Sequence, residues 1–151
     1  MRQTKRLLSL TAVMLIAACT DNSITNPLND VSGTYQMTIF ADRSLPYTYT
    51  VSAGQDSELP NGGTVRANDG TMVLNENGTF IETNNFTKTP TGGQSFASAF
   101  VSTGTYTVTS AGDVTFSAPR QNGYEARFLS GTWDADRISY IESGLTFEYR
   151  R

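Results

Sequence analysis

The fold is decided by residues 72–80, which read Met-Val-Leu-Asn-Glu-Asn-Gly-Thr-Phe. Met72 and Leu74 fall on one face of an extended chain, because successive side chains of a strand point to opposite sides. Asn77-Gly78 follows, and this dipeptide accepts the positive φ angles of a type I′ turn. The stretch therefore predicts two β-strands joined by a tight hairpin.

The same period of two recurs along the chain after about residue 32. Tyr35 and Met37 share one face of the first predicted strand, and Phe147 and Tyr149 share one face of the last. Nothing in this part of the chain shows a helical period. The pattern predicts an all-β domain of about eight or nine strands, at residues 32–41, 45–53, 63–75, 79–87, 95–109, 113–118, 123–133, 137–142 and 145–150.

Short hairpins between these strands favour an antiparallel meander, in which neighbours in sequence are neighbours in the sheet. Closing the meander into an up-and-down β-barrel removes the exposed edges of a long open sheet, and a two-sheet β-sandwich is the alternative. The longest irregular segments, 53–63, 88–94 and 118–123, are expected around the barrel mouth. The side chains expected to face inward are Tyr35, Met37, Met72, Leu74, Phe80, Tyr106, Phe116, Phe128, Trp133, Phe147 and Tyr149.

The N-terminus has the layout of a secretory signal. Basic residues in 2–6 precede an apolar stretch, Leu7 to Ala18, which is shorter than the roughly 20 apolar residues that cross a bilayer. The run Ile16-Ala17-Ala18-Cys19 resembles the lipobox of bacterial lipoproteins, in which cleavage makes the lipid-modified Cys the first residue. The resemblance implies a signal peptide over 1–18, lipidation of Cys19, and membrane attachment through that lipid; an ordinary secreted protein is the alternative.

The polar segment 19–31 follows and is predicted to be a flexible tether before a barrel domain over 32–151. Thr20 stands where an Asp would resemble the retention signal for the inner membrane in enteric bacteria. The lipobox resemblance therefore implies a bacterial cell-envelope protein, with the outer membrane as the expected location.

Composition argues against several classes of function. Three of the 11 basic residues lie in 1–18, which leaves 8 against 14 acidic residues, and such an acidic domain is a poor partner for nucleic acid. The absence of histidine removes the usual general base near neutral pH and the commonest metal ligand. Asp134 and Asp136 have a spacing that suits an acid–base pair, but they fit a hairpin turn better. We therefore expect no enzyme and no cofactor.

A Gly-Thr-aromatic unit occurs four times, beginning at Gly33, Gly78, Gly104 and Gly131. With residues 31–35, 45–47, 72–80, 104–108 and 145–150, these units make the chain similar to the lipocalin-like domains of many small bacterial lipoproteins. The resemblance implies a barrel that binds a small molecule. It also implies that Arg150 or Arg151 packs on the aromatic ring of the first strand.

The candidate binding residues are Tyr47, Tyr49, Trp133 and Arg127. Tyr47 and Tyr49 are two apart near the Leu45-Pro46 turn, so both rings project to one face of a strand. With Trp133 they are expected to line one end of a cavity for a small hydrophobic or amphipathic ligand, and Arg127 is a polar contact. The alternative is a protein-binding module, an inhibitor or envelope assembly factor, with a filled barrel. An interior cavity of about 300 Å³ or more favours the ligand.

Overall fold

The computed structural model describes residues 27–121 and 123–151, without the side chains of Pro27 and Asn29. It confirms an all-β domain, in which a short helix α1 (Pro27–Val31) precedes the strands. The strands are β1 (Gly33–Phe40), β2 (Arg43–Ser44), β3 (Tyr47–Val51), β4 (Gly63–Leu74), β5 (Thr79–Pro90), β6 (Phe96–Val108), β7 (Asp113–Ala118), β8 (Arg127–Asp134), β9 (Arg137–Glu142) and β10 (Leu145–Arg150).

Eight of these strands form a closed antiparallel barrel. β4 to β10 follow one another as antiparallel neighbours, β10 pairs with β1, and β1 pairs with β4 to complete the ring. The predicted up-and-down barrel is therefore confirmed and the sandwich alternative is wrong. The barrel is compatible with a lipocalin-like fold.

The seam between β1 and β4 is paired along only part of its length. Residues 33–36 of β1 pair with residues 71–74 of β4, whereas Ile39 and Phe40 pair with β2 and residues 63–67 pair with β3. Because each strand takes a separate short partner beyond the shared segment, β1 and β4 diverge there. The two ends of the barrel are consequently different. We call the end near residues 33 and 74 the closed end and the end near residues 40 and 63 the open end.

The closed end is sealed by α1 and by the last residue of the chain. Tyr35 donates a hydrogen bond from its hydroxyl to the Val31 carbonyl oxygen at 2.6 Å. The Arg151 guanidinium lies over the Tyr35 ring, 5.1 Å from its centroid, and donates to the carbonyl oxygens of Asp30, Ser32 and Ala135. The arginine that packs on the first-strand aromatic is thus Arg151.

The predicted hairpin between β4 and β5 is present, but its turn differs from the type I′ expected. The Gly78 amide donates to the Asn75 carbonyl oxygen at 3.0 Å, so the β-turn covers residues 75–78. Gly78 has φ +79°, whereas Asn77 does not take a positive φ. The loop between β4 and β5 is longer than the two-residue loop of a type I′ hairpin. The positive φ therefore falls on the last turn position, where Gly tolerates it.

Nine of the eleven residues predicted to face inward are buried in the core, and a tenth, Trp133, is partly buried and packs against it. Phe128 is the exception and that prediction was wrong, because its side chain is 78% exposed. Burial alternates along β8, and both Arg127 and Trp133 face inward. Phe128 is therefore on the outer face. The odd-numbered positions of β8 face the interior.

The segment predicted as a tether ends earlier than residue 31. Residues 27–31 form α1, with Val31 completely buried in the core cluster and Leu28 packed against it. Cys19 and the predicted signal over 1–18 lie outside the described residues. Within the described part, no helix has the length and apolar character needed to cross a membrane.

Candidate functional site

A cavity of about 490 Å³ occupies the open end of the barrel. It lies within the range of about 300–1,000 Å³ that is usual for sites of small molecules. Its aromatic walls come from five different segments of the chain, and the rings are those of Tyr49, Phe86, Phe100, Tyr124 and Phe147.

Strand alternation brings these rings to the interior. Phe86 has the same parity along β5 as the buried Phe80, and Phe147 has the same parity along β10 as the buried Tyr149. Phe100 follows the same rule on β6 and packs edge to face against Tyr124, with ring centroids 4.9 Å apart. The period of two that builds the core at the closed end therefore lines the cavity at the open end.

A buried carboxylate lies directly behind the cavity. Glu82 on β5 is 1% exposed, and its Oε1 accepts hydrogen bonds from the hydroxyls of Tyr140 at 2.5 Å and Tyr149 at 2.8 Å. Asn84 Nδ2 donates to the same oxygen at 2.9 Å. The Tyr149 hydroxyl also lies 2.9 Å from Asn84 Oδ1, so its one hydrogen is shared between two acceptors. Burial, and then the negative charge of Glu82, raise the pKa of both Tyr140 and Tyr149 well above the usual value, so the two hydroxyls keep their protons.

Arg127 connects this carboxylate to the cavity. Its Nη1 is 2.9 Å from Glu82 Oε2, and its Nε and Nη2 bind the two oxygens of Glu142 at 2.7 and 2.6 Å. Burial opposes the charge of Arg127, but the bonds to Glu142 and the charge of Glu82 outweigh burial and raise its pKa. The guanidinium also lies over the Phe100 ring, 4.6 Å from the centroid. Arg127 and Glu142 both line the cavity.

A second ion-pair cluster stands at the rim. Lys88 Nζ on β5 is 2.7 Å from Asp56 Oδ2 and 2.7 Å from Glu58 Oε2, both in the loop of residues 52–62. Glu58 also accepts a hydrogen bond from the Ser98 hydroxyl at 2.7 Å. Leu59 of the same loop is completely buried beside Val51 and Val65. The loop is therefore fixed to the barrel by the buried Leu59 and by the bonds from Lys88 and Ser98.

These ion pairs shift the titration of the rim groups. Burial alone would raise the pKa of Asp56, but hydrogen bonds from Lys88 and from backbone amides outweigh burial and lower it. Hydrogen bonds from Lys88 and Ser98 lower the pKa of Glu58. Burial alone would lower the pKa of Lys88, yet its bonds to Asp56 and Glu58 raise it. All three groups are therefore charged at neutral pH.

The structure brings two of the four predicted binding residues to the cavity. Tyr49 and Arg127 line it. Tyr47 stacks on Tyr49, with centroids 6.0 Å apart and an interplanar angle of 20°, but it is not part of the lining. Trp133 packs on the core six residues along β8 from Arg127, which is about 20 Å in a strand that rises about 3.3 Å per residue. Trp133 therefore belongs to the closed end.

Sequence reasoning missed Glu82, Asn84, Tyr140 and Glu142. A signal for two of them existed, because Glu82 and Asn84 have the same parity along β5 as Phe80, which was predicted to face inward. Polar residues on the inward face of a strand are costly unless they are paired. Asp134 ends β8 and Asp136 lies in the turn before β9, as the hairpin interpretation predicted.

Among residues 27–121 and 123–151, no group of three or more His, Cys, Asp or Glu side chains is arranged to hold a metal ion. In comparisons with known proteins, no protein-family model matches the chain and no curated protein is similar to it.

Proposed function

We propose that this barrel binds a small amphipathic molecule in the cavity at its open end. The observation that supports the proposal is the cavity itself, whose volume of about 490 Å³ lies within the range usual for small-molecule sites, about 300–1,000 Å³. Aromatic rings on several strands offer apolar contact, and Arg127, Glu142 and Asn84 offer polar contact at the inner end. Without histidine or a recognisable nucleophile and base, binding rather than catalysis is the role proposed.

Native mass spectrometry of the domain, purified from its own bacterium, tests this proposal. A molecule that co-purifies at one copy per chain is the expected result. Ala126→Trp would place a large ring in the lining and should abolish that adduct, whereas Ser130→Trp on the exposed face of β8 should retain it. An adduct that survives in Ala126→Trp would show that the molecule binds elsewhere.

A second candidate function is contact with an envelope protein through the outer face of β8 and β9. Phe128 and Ile141 are 78% and 66% exposed. The register that pairs Gly131 with Tyr140 places Ile141 across from Ser130, two residues along β8 from Phe128. Exposed apolar side chains that form a contiguous patch mark sites of contact with other proteins. A photo-crosslinking residue at position 128 should then give a discrete product in cells, and one at Thr132 should not.

We also propose that Cys19 carries the lipid that holds the barrel at the outer membrane, as in lipocalin-like lipoproteins. The support is the lipobox-like run that ends at Cys19. Two or more acyl chains hold a protein firmly, since each buried methylene contributes about 0.8 kcal/mol. Cys19→Ala should release the protein from the membrane fraction. A Cys19→Ala protein that stays in that fraction after a high-salt wash would exclude the anchor.

A further inference from the structure

We propose that the ligand is an organic cation with an aromatic or aliphatic body, and that Glu142 receives its positive group. This inference rests on the proposed function and names the ligand class of the same cavity. Three properties of the cavity carry it: its charge, the way its two basic residues are used, and its aromatic walls.

The ionisable groups in and behind the cavity carry an excess of negative charge. At the inner end, one guanidinium, Arg127, pairs with two carboxylates, Glu82 and Glu142. At the rim, one ammonium, Lys88, pairs with two carboxylates of the loop 52–62. Each cluster therefore has a formal charge of −1. The exposed Glu125 at the mouth is balanced by Arg120 at 3.1 Å. A cavity with this balance attracts cations and repels anions.

The basic groups are already engaged by carboxylates. Arg127 uses three of its N–H groups on Glu82 and Glu142 at 2.6–2.9 Å, and Lys88 is held by two carboxylates at 2.7 Å. A ligand carboxylate would therefore meet basic groups that are already outnumbered by carboxylates, and it would add a third negative charge to either cluster. A ligand ammonium would instead offset the excess negative charge.

Glu142 is the group best placed to receive the cation. Its side chain is 27% exposed and lines the cavity, whereas Glu82 is almost completely buried behind it. Each oxygen of Glu142 accepts one bond from Arg127, and a carboxylate oxygen can accept more than one. Ammonium donors that approach from the cavity can therefore bind Glu142 without breaking its pair with Arg127.

The walls suit a cation as well as an apolar body. Arg127 already lies over the Phe100 ring, 4.6 Å from its centroid, so this wall already holds one positive group. Phe147 and Phe86 offer further ring surface to the same space. Aromatic faces attract cations within about 6 Å and attract them more strongly where water is excluded. A metal ion would lack a ligand set, because the described residues contain no group of three His, Cys, Asp or Glu suited to hold one.

A matched series of three probes tests the inference on the unaltered protein. The probes are 4-(2-naphthyl)butylamine, 4-(2-naphthyl)butanol and 4-(2-naphthyl)butanoate, which share one body and differ in charge at pH 7. In calorimetric titrations at constant salt, we expect the amine to bind one site per chain at least tenfold more tightly than the butanoate, with the butanol between them. Butanoate binding as tight as amine binding would overturn the cation preference while leaving the binding function intact. If no probe saturates at millimolar concentration, both proposals fail.

Glu142→Gln then tests the assignment of the charged partner. We expect the affinity for the amine to fall about tenfold and the affinity for the butanol to stay within twofold. The difference in affinity between the amine and the butanoate should therefore become smaller. Glu76→Gln is the matched control, because it removes the same charge from the exposed turn of residues 75–78 at the closed end. Equal losses in the two variants would overturn the role of Glu142. The probe series does not depend on either variant, so poor folding of Glu142→Gln leaves the main test in place.

Discussion

The two ends of the barrel use polar groups in opposite ways. At the closed end, Arg151 and Tyr35 direct their donors to backbone carbonyl oxygens, and α1 covers the core. At the open end, Arg127 and Glu82 are an ion pair between side chains, with a cavity in front of them. The closed end satisfies backbone groups that have no strand partner, as a sealed barrel must.

The open end keeps a buried charge network that the fold does not require. A buried ion pair is weak evidence for stability, since apolar residues of the same size often replace one without loss. The network does hold Arg127 and Glu142 in fixed positions at the inner wall of the cavity. The difference between the ends is in line with the proposal that the open end binds a ligand.

The largest expected effect comes from breaking the ion pair at the open end. Arg127→Met leaves the Glu82 carboxylate buried without its guanidinium, and such a change typically costs about 3–5 kcal/mol of unfolding free energy. Chemical denaturation measures the loss. Adding Glu82→Gln should recover much of it, because the neutral amide still accepts from Tyr140 and Tyr149. A double variant no more stable than Arg127→Met would show that the unpaired charge is not the cause.

A loss of unfolding free energy of similar size is expected from a change at the closed end, but without an effect on ligand binding. Trp133→Ala removes a large ring that packs on the core and should cost about 3 kcal/mol, near the lower limit for such changes because Trp133 is only partly buried. Thermal melting measures the cost. The affinity for the naphthylbutylamine probe should stay within twofold. A larger change would show that the two ends of the barrel are energetically coupled.

Two single-hydroxyl deletions compare the ends directly. Tyr140→Phe removes a donor to the charged Glu82 and should cost about 1.5–3 kcal/mol, as hydrogen bonds to charged groups do. Tyr106→Phe removes a donor to the neutral carbonyl oxygen of Asn75 and should cost about 0.5–1.5 kcal/mol. Parallel urea denaturation of both variants gives the comparison. Equal costs would show that the hydrogen bond to Glu82 is no stronger than the bond to a neutral carbonyl oxygen.

The smallest effect is expected at the rim, where its pH dependence is informative. Lys88→Met should cost about 1 kcal/mol or less at pH 7, since Glu58 is nearly half exposed. The lowered pKa values of Asp56 and Glu58 mean that their contribution is present at neutral pH and lost as the pH falls below about 4. The raised pKa of Lys88 means that its contribution disappears only above about pH 10. A stability difference that persists at pH 2.5 would contradict the ion-pair explanation.

Most of the fold could be predicted because strand alternation and turn residues are local signals. The nine predicted strands overlap nine of the ten observed, and the two-residue β2 is too short to give a pattern. Parity along β8 was misjudged at Phe128 because a large apolar residue was assumed to face inward, whereas the charged Arg127 does.

The site was less predictable because its residues meet only in three dimensions. Glu82 and Tyr140 are 58 positions apart, and no spacing in the sequence shows that their side chains touch. Tyr49 was predicted from its strand position and Arg127 as a polar contact, and both line the cavity. Trp133 was misplaced because its distance along β8 was not considered. Counting rise per residue from a known mouth loop would have separated the two ends.

The helix α1 has a consequence for the orientation of the molecule. The described chain enters the barrel at residue 27, at the closed end, with the cavity at the opposite end. A surface that holds the chain upstream of residue 27 is therefore connected to the end of the barrel opposite the mouth. Ligand exchange would then follow the concentration dissolved in the surrounding solution, and vesicles carrying the protein by its N-terminus should take up a soluble probe as readily as the free domain does.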